Sequence, residues 1–385
     1  MSGVYIHAVG INNAMGSGLK EIASKLFDKP QTYLTEHPKL NSGHSCFVGQ
    51  VEKSLPELGA EYDDYNCRNN QLLLEAYNQI KDKTESMIEA SSPDKFGVIL
   101  GTSTSGIDEG EEAIKTNFEG YNYRRQEIGN PSEFLQKYIG AGKIAYTVST
   151  ACSSAGRAIV SAVRLLQSGK CDVVIAGGSD SLCNLTVNGF DSLSSISATG
   201  ANPLSKNRDG ISIGEGAALF LLSREPSDIE IKGYGESSDG YHISSPDPEA
   251  KGPELALRAA LEMAGIEKPG YVNLHGTATP KNDEMESLLI NRLFGDEVPV
   301  GSTKGMIGHC LGAAAAQELA FCYMALAEQL NPEHILPPHV WDGEIDPNFP
   351  KIRVVEAGER WTNPSVMSNS FAFGGNNISL VIGRA

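Results

Sequence analysis

Three side chains could perform chemistry together. Cys152 sits in VSTACSSAGRAIVSAVRLL, where an extended run meets a helix built from small residues. The dipole and unpaired N–H groups of a helix N-terminus favour thiolate, lowering a thiol pKa from about 8.5, and the same N–H groups can hold an oxyanion. Of the 8 histidines, two lie in glycine-bounded contexts, His275 in VNLHGTATPKNDEMES and His309 in GSTKGMIGHCLGAAAAQE. His275 follows a strand directly. His309 opens a helix so rich in small residues that another backbone or a substrate must pass close to it. A nucleophilic thiol beside two imidazoles can attack an acyl carbon and steady the negative charge that develops.

Two more groups belong to this neighbourhood. Lys304 lies in a turn between glycines five residues before His309, and Glu286 follows His275 by eleven positions on a helix expected to begin near Asp283. Lys304 is either a solvated turn residue or a buried cation. The reading that gives it work pairs it with Glu286, polarising the His309 side of a pocket.

Elements able to position these residues alternate along the chain. Strands are expected at 4–9, 96–100, 172–176 and 217–222, the third ending in Gly177-Gly178, with helices at 68–80 and 155–167. The second part repeats the order, with strands at 229–233, 271–274, 365–371 and 378–382 and helices at 254–264 and 311–328. VILGTSTS at 98–105 aligns with VNLHGTAT at 272–279, a strand running into a Gly-Thr-x-Thr turn each time. Such repetition implies a duplicated α/β chain with its site near the junction. The boundary falls at 224–230, giving halves 1–225, which carries the cysteine, and 226–385, which carries both histidines and the lysine.

Composition removes several alternatives. With 385 residues, 31 Lys plus Arg and 48 Asp plus Glu, the net charge is −17, so the basic footprint of a nucleic-acid binder is missing. Seven scattered cysteines without a CxxC pair fit neither a disulfide framework nor a zinc site. No run approaches the ~18 apolar residues of a membrane span, and the N-terminal ten residues do not read as a signal sequence. A cytoplasmic enzyme is expected, with no metal.

These motifs resemble the β-ketoacyl synthases, the elongating condensing enzymes of fatty acid and polyketide assembly. TACSSA resembles their nucleophile motif, HGTATPKND and STKGMIGHCLGAAAA their two histidine motifs, and NRDGISIGEGAA and SNSFAFGGNN their glycine-rich loops. The resemblance implies a thiolase-like fold of two βαβαβαββ halves in five layers, α-β-α-β-α. It implies catalysis by Cys152, His275, His309 and Lys304, supported by Glu286, Asp283 and Phe373, with the N–H groups of Cys152 and Phe373 as the oxyanion hole. Thr277, Thr279 and Phe371 would contact a pantetheine arm. The reaction implied is decarboxylative condensation of an acyl-Cys152 with malonyl-acyl carrier protein. It needs no cofactor beyond the carrier's phosphopantetheine.

The partners implied are an acyl carrier protein and a second synthase-like subunit, identical or of the chain-length-factor type, joined through 144–148. Carrier proteins are acidic, so a local basic patch is expected to dock them, formed by Arg68, Lys206 and Arg208 with Arg124 and Arg125 as further candidates. Residues 102–107 and 193–198 are expected to set the depth of the acyl pocket. Three departures stand out: ANPLSKN before the RDG turn, Ala372 where glycine is usual, and Asn376 where threonine is usual. A specialised polyketide or polyene pathway is therefore expected over housekeeping fatty acid synthesis. Two rivals share the fold: a non-catalytic chain-length-factor subunit, which usually lacks the cysteine, and a thiolase, which needs a second cysteine where this chain reads FAFGGNN.

Overall fold

The computed structural model describes residues 3–28, 30–37 and 40–385. In the first half the framework elements are β1 (Tyr5–Asn13), α1 (Arg68–Asn78), β2 (Phe96–Gly101), α2 (Asn130–Ile139), β3 (Ile144–Val148), α3 (Ser154–Gln167), β4 (Val173–Asp180), α4 (Asn184–Ser192) and β5 (Gly216–Ser223). After residues 224–228 come β6 (Ile229–Ser238), α5 (Lys251–Ala264), β7 (Tyr271–Asn273), α6 (Pro280–Phe294), β8 (Pro299–Gly301), α7 (Ala314–Leu326), β9 (Ser365–Ala372) and β10 (Asn376–Arg384).

Strand pairing makes the duplication explicit. In the first half β2 is parallel to β3 and β4, β4 is antiparallel to β5, and β5 to β1. In the second, β7 is parallel to β8 and β9, β9 is antiparallel to β10, and β10 to β6. The halves join edge to edge through β1 and β6, where Tyr5 faces Glu230 and Ile6 faces Ile229. The strands therefore form one hydrogen-bonded sheet that doubles back on itself.

Between its two leaves lie α3 and α7. Helix α7, AAAQELAFCYMAL, is buried at every position, which explains why it lacks a polar face. Its alanines let it sit against α3 and both leaves, in one core with β1, β10 and α3. Helices α1 and α2 cover the outer side of the first leaf, and α5 and α6 that of the second. The layers are thus α-β-α-β-α.

Glycine behaves differently from its sequence reading at one place. Strand β4 does not stop at Gly177-Gly178 but runs through them to Asp180. A Cβ on Gly178 would lie 2.6 Å from the Gly101 carbonyl oxygen and 2.9 Å from Ala155 Cβ. These glycines allow close approach between layers and do not break the strand. Helix α6 begins at Pro280, three residues earlier than expected, because proline at the first helical position has no N–H to leave unpaired.

Candidate active site

The expected chemistry-bearing residues all follow carboxyl ends of strands at the junction of the halves: Cys152 after β3, His275 after β7, Lys304 and His309 after β8, Phe373 after β9. Such ends are where open α/β sheets leave a crevice. Ahead of Cys152 the chain turns sharply, with Ala151 at φ 51°, a left-handed value that a small residue tolerates best. Ser154 Oγ accepts from Thr150 N–H at 2.9 Å, and Ser153 Oγ donates to the Thr150 carbonyl at 2.7 Å, bracing the turn. The end of β2 passes directly beneath: a Cβ on Gly101 would lie 2.3 Å from Ala155 N. His309 is clamped by the glycine-rich loop before β5, donating its N–H to the Ser212 carbonyl at 2.7 Å and accepting from Gly214 N–H at 2.9 Å.

Cys152 Sγ lies 2.9 Å from His309 Nε2, and the rings of His275 and His309 meet edge to face with centroids 5.3 Å apart. Tautomers follow from what holds each Nδ1. Leu311 N–H donates to His309 Nδ1 at 3.2 Å, and the Lys304 ammonium approaches His275 Nδ1 at 3.5 Å. Burial and Lys304 hold both imidazoles well below their usual pKa, so each ring is neutral. A neutral ring accepting at Nδ1 carries its proton on Nε2. The pocket therefore receives two N–H donors, suited to an oxygen that gains negative charge. Although the ligand atoms of Cys152, His275 and His309 lie within 4.8 Å of one another, a metal would need lone pairs where these rings present protons.

Lys304 is buried as expected, but its partner is not Glu286. Its ammonium is ion-paired with Glu318 on α7 and also donates to the His275 carbonyl at 2.5 Å. Glu286 instead accepts from the N–H groups of His275 and Gly276, at 2.8 Å each, fixing the turn that presents His275. Asp283 accepts from Leu204 N–H at 2.8 Å and Ala278 N–H at 3.2 Å, tying the divergent ANPLSKN loop to the same turn. Sequence reasoning missed Glu318. Its signal was an acid, next to Gln317, inside a helix whose other residues are apolar.

Electrostatics reverse one expectation. Complete burial pushes the Cys152 thiol up to about 11, although Lys304 and the N–H groups of Phe373 and Cys152 itself pull the other way. Desolvation outweighs the helix terminus because the sulfur sees little water. The resting group is a thiol. Its alkylation by iodoacetamide should accelerate steadily from pH 7 to pH 10; a plateau beginning near pH 7 would show the thiolate expected from sequence.

A cavity of about 330 Å³ opens over Cys152, His275 and His309. Thr277, Thr279, Phe371 and Phe373 line it, together with Phe190 and Leu193–Ser195. Residues 102–107 do not line it. Thr102 and Thr104 instead donate to buried Asp180, at 2.7 and 2.8 Å. Ala372 has φ −89° and ψ 155°, ordinary extended backbone, so its Cβ brings no strain to the Phe373 turn; the following glycines, Gly374 and Gly375, supply the positive φ values.

The expected basic patch is largely taken apart. Arg68 makes two hydrogen bonds to Glu215, at 2.5 and 2.9 Å, while the side chain of Arg208 is 6% exposed and paired with Asp346 at 2.6 Å. Both are structural pairs, because each is closed off by its own carboxylate. Lys206 is paired with Glu344 at 2.7 Å and Arg125 with Asp63 at 2.9 Å; exposed Arg124 lies 3.6 Å from Glu133. Among the described residues no helix is long and apolar enough to cross a membrane.

Comparison with known proteins agrees with this geometry. Residues 17–227 match the family model "Beta-ketoacyl synthase, N-terminal domain" and residues 229–336 "Beta-ketoacyl synthase, C-terminal domain". Nodulation protein E of Rhizobium meliloti (strain 1021) is 32% identical, covering 89% of this chain and 90% of its own. The 3-oxoacyl-[acyl-carrier-protein] synthase 2 of Coxiella burnetii is 31% identical, covering 82% of this chain and 81% of its own. Among solved structures, the ketosynthase ApeO in complex with its chain length factor ApeC, from Xenorhabdus doucetiae, superposes with a TM-score of 0.95 at 43% identity over 100% of this chain and 98% of the other. With its cysteine and paired imidazoles set at the junction of duplicated halves, the chain belongs to the β-ketoacyl synthase family.

Proposed function

We propose that Cys152, His275 and His309 carry out a decarboxylative condensation whose substrates arrive on a pantetheine arm. In the first step the Cys152 sulfur bonds the acyl carbon, the pantetheine C–S bond breaks, and the thiol proton leaves with the pantetheine sulfur. In the second, the malonyl carboxylate departs as carbon dioxide, and its electron pair becomes an enolate whose oxygen takes the two Nε2–H donors. The enolate carbon then attacks the acyl-Cys152 carbonyl. The N–H groups of Cys152 and Phe373 hold the resulting oxyanion until the C–S bond breaks and the released Cys152 thiolate takes a proton from water. Lys304 and Glu286 are positioning residues, acting through His275.

The observation that carries this reading is the pair of Nε2–H groups beside a sulfur. A hydrolase needs one base, whereas an enolate is served by two donors. Either histidine changed to alanine is expected to lower carbon dioxide release from malonyl-acyl carrier protein by about 10²–10³-fold, the scale of losing one oxyanion donor, while the thiol stays alkylatable. Unchanged release in both variants would remove the histidines from this step.

The reading includes no resident cofactor and a cytoplasmic place of work, with an acyl carrier protein as partner. Strand β3 ends the sheet and pairs on one side only, with β2, and Tyr146 on it is 39% exposed. That open edge favours a second synthase-like subunit there, and ApeO stands in complex with a chain length factor. An intact nucleophile favours the catalytic role in such a pair. This association supports a polyketide or polyene pathway.

A further inference from the structure

We infer that Lys281 binds the phosphate group at the end of the pantetheine arm and so makes the enzyme prefer phosphorylated carriers of the acyl group. This rests on the function proposed above and extends it from the reacting carbon to the far end of the arm.

One continuous segment forms a wall from the chemistry to the surface. His275 is 2% exposed, Thr277 6%, Thr279 half-buried, and Lys281 exposed at the cavity mouth. The segment turns at Gly276 (φ 40°) and Ala278 (φ 65°) and enters α6 at Pro280, which leaves Lys281 at its surface end. Along it the hydroxyls of Thr277 and Thr279, 3.0 Å apart, offer hydrogen bonds to amides midway.

At the mouth the charges are unequal. Lys281 is the only Lys or Arg among the described lining residues. Asp239, the one acid there, is engaged by Asn377 Nδ2 at 2.6 Å and by Asp247 N–H at 3.1 Å. Lys281 Nζ donates to Ser245 Oγ at 3.1 Å, and among the described residues no carboxylate forms an ion pair with it. Arg68, Lys206 and Arg208 are each paired with an acid, whereas the ammonium of Lys281, backed by a serine hydroxyl, stands at the mouth of the cavity without one. An ammonium at a pocket mouth with hydroxyls beside it suits a phosphate ester.

The test compares acyl-phosphopantetheine with acyl-pantetheine, which lacks the phosphate, as donors to Cys152, followed by intact mass. The wild-type enzyme should react with the phosphorylated thioester about tenfold faster at low salt, one charge-assisted hydrogen bond being worth that much. Lys281→Ala should lose this preference while keeping the wild-type rate with acyl-pantetheine, and Lys281→Arg should retain it. A Lys281→Ala enzyme that keeps the preference overturns the inference, as does one slowed equally with both donors, which would make Lys281 a support for the Ser245 wall. A wild-type enzyme acylated by neither thioester overturns the proposed function itself.

Discussion

Cys152→Ala should accept no acyl group: incubation with an acyl-carrier thioester will leave the protein mass unchanged, and condensation will fall by at least about 10⁴-fold, as when a covalent nucleophile is removed. In the proposed reaction sulfur is needed because the first step forms a bond to it. The neighbouring groups cannot substitute, since both imidazoles present N–H to the pocket and Ser153 and Ser154 spend their hydroxyls on the turn. Decarboxylation is separable, because the two Nε2–H donors stay where they are. Cys152→Gln sharpens this: its side-chain amide mimics an acylated cysteine, so carbon dioxide release should persist or rise while elongation stops. An acyl adduct on Cys152→Ala, located by peptide mapping to another residue, would move the nucleophile elsewhere.

Much of this site was legible because its residues sit in short, locally constrained motifs. A cysteine before a small-residue helix, and histidines bounded by glycine, announce tight turns at strand ends whatever the rest of the chain does. The duplication was legible for the same reason, in the alignment of VILGTSTS with VNLHGTAT. Long-range electrostatics were not. That Lys304 would meet Glu318 on α7 and not Glu286 on α6 depends on how deep α7 lies between the leaves. The thiol pKa failed likewise: a helix terminus can be read from sequence, whereas complete desolvation is a property of the closed fold.

The docking patch was hard to read for a third reason. Charge along a sequence does not say which cations already have partners, and Arg68 and Arg208 are held by Glu215 and Asp346 from far along the chain. Lys281 lies inside the HGTATPKND motif, but its type alone does not separate it from any solvated lysine; its place in the cavity lining does.

Lys304→Met should cost about 3–5 kcal/mol of stability, the usual penalty for leaving one member of a buried ion pair unpaired, read as a lowered urea midpoint. Glu318 would then lose the ammonium that opposes its burial, while its Oε2 already has no partner. Burial holds the Glu318 carboxyl up at about 7 even with Lys304 present. A carboxyl raised above its unfolded pKa of about 4.3 adds stability at low pH that is lost as pH rises through the folded value. The loss in Lys304→Met should therefore be largest at pH 8 and shrink toward pH 5, where Glu318 takes up a proton. Adding Glu318→Leu removes the stranded carboxyl, and stability should largely return, since an apolar pair of similar volume can replace a buried ion pair. Carbon dioxide release should not return, because His275 Nδ1 would still lack the donor that keeps its proton on Nε2. A double variant that recovered both would make Lys304 a structural cation and nothing more; recovery of stability alone assigns it to the chemistry of His275.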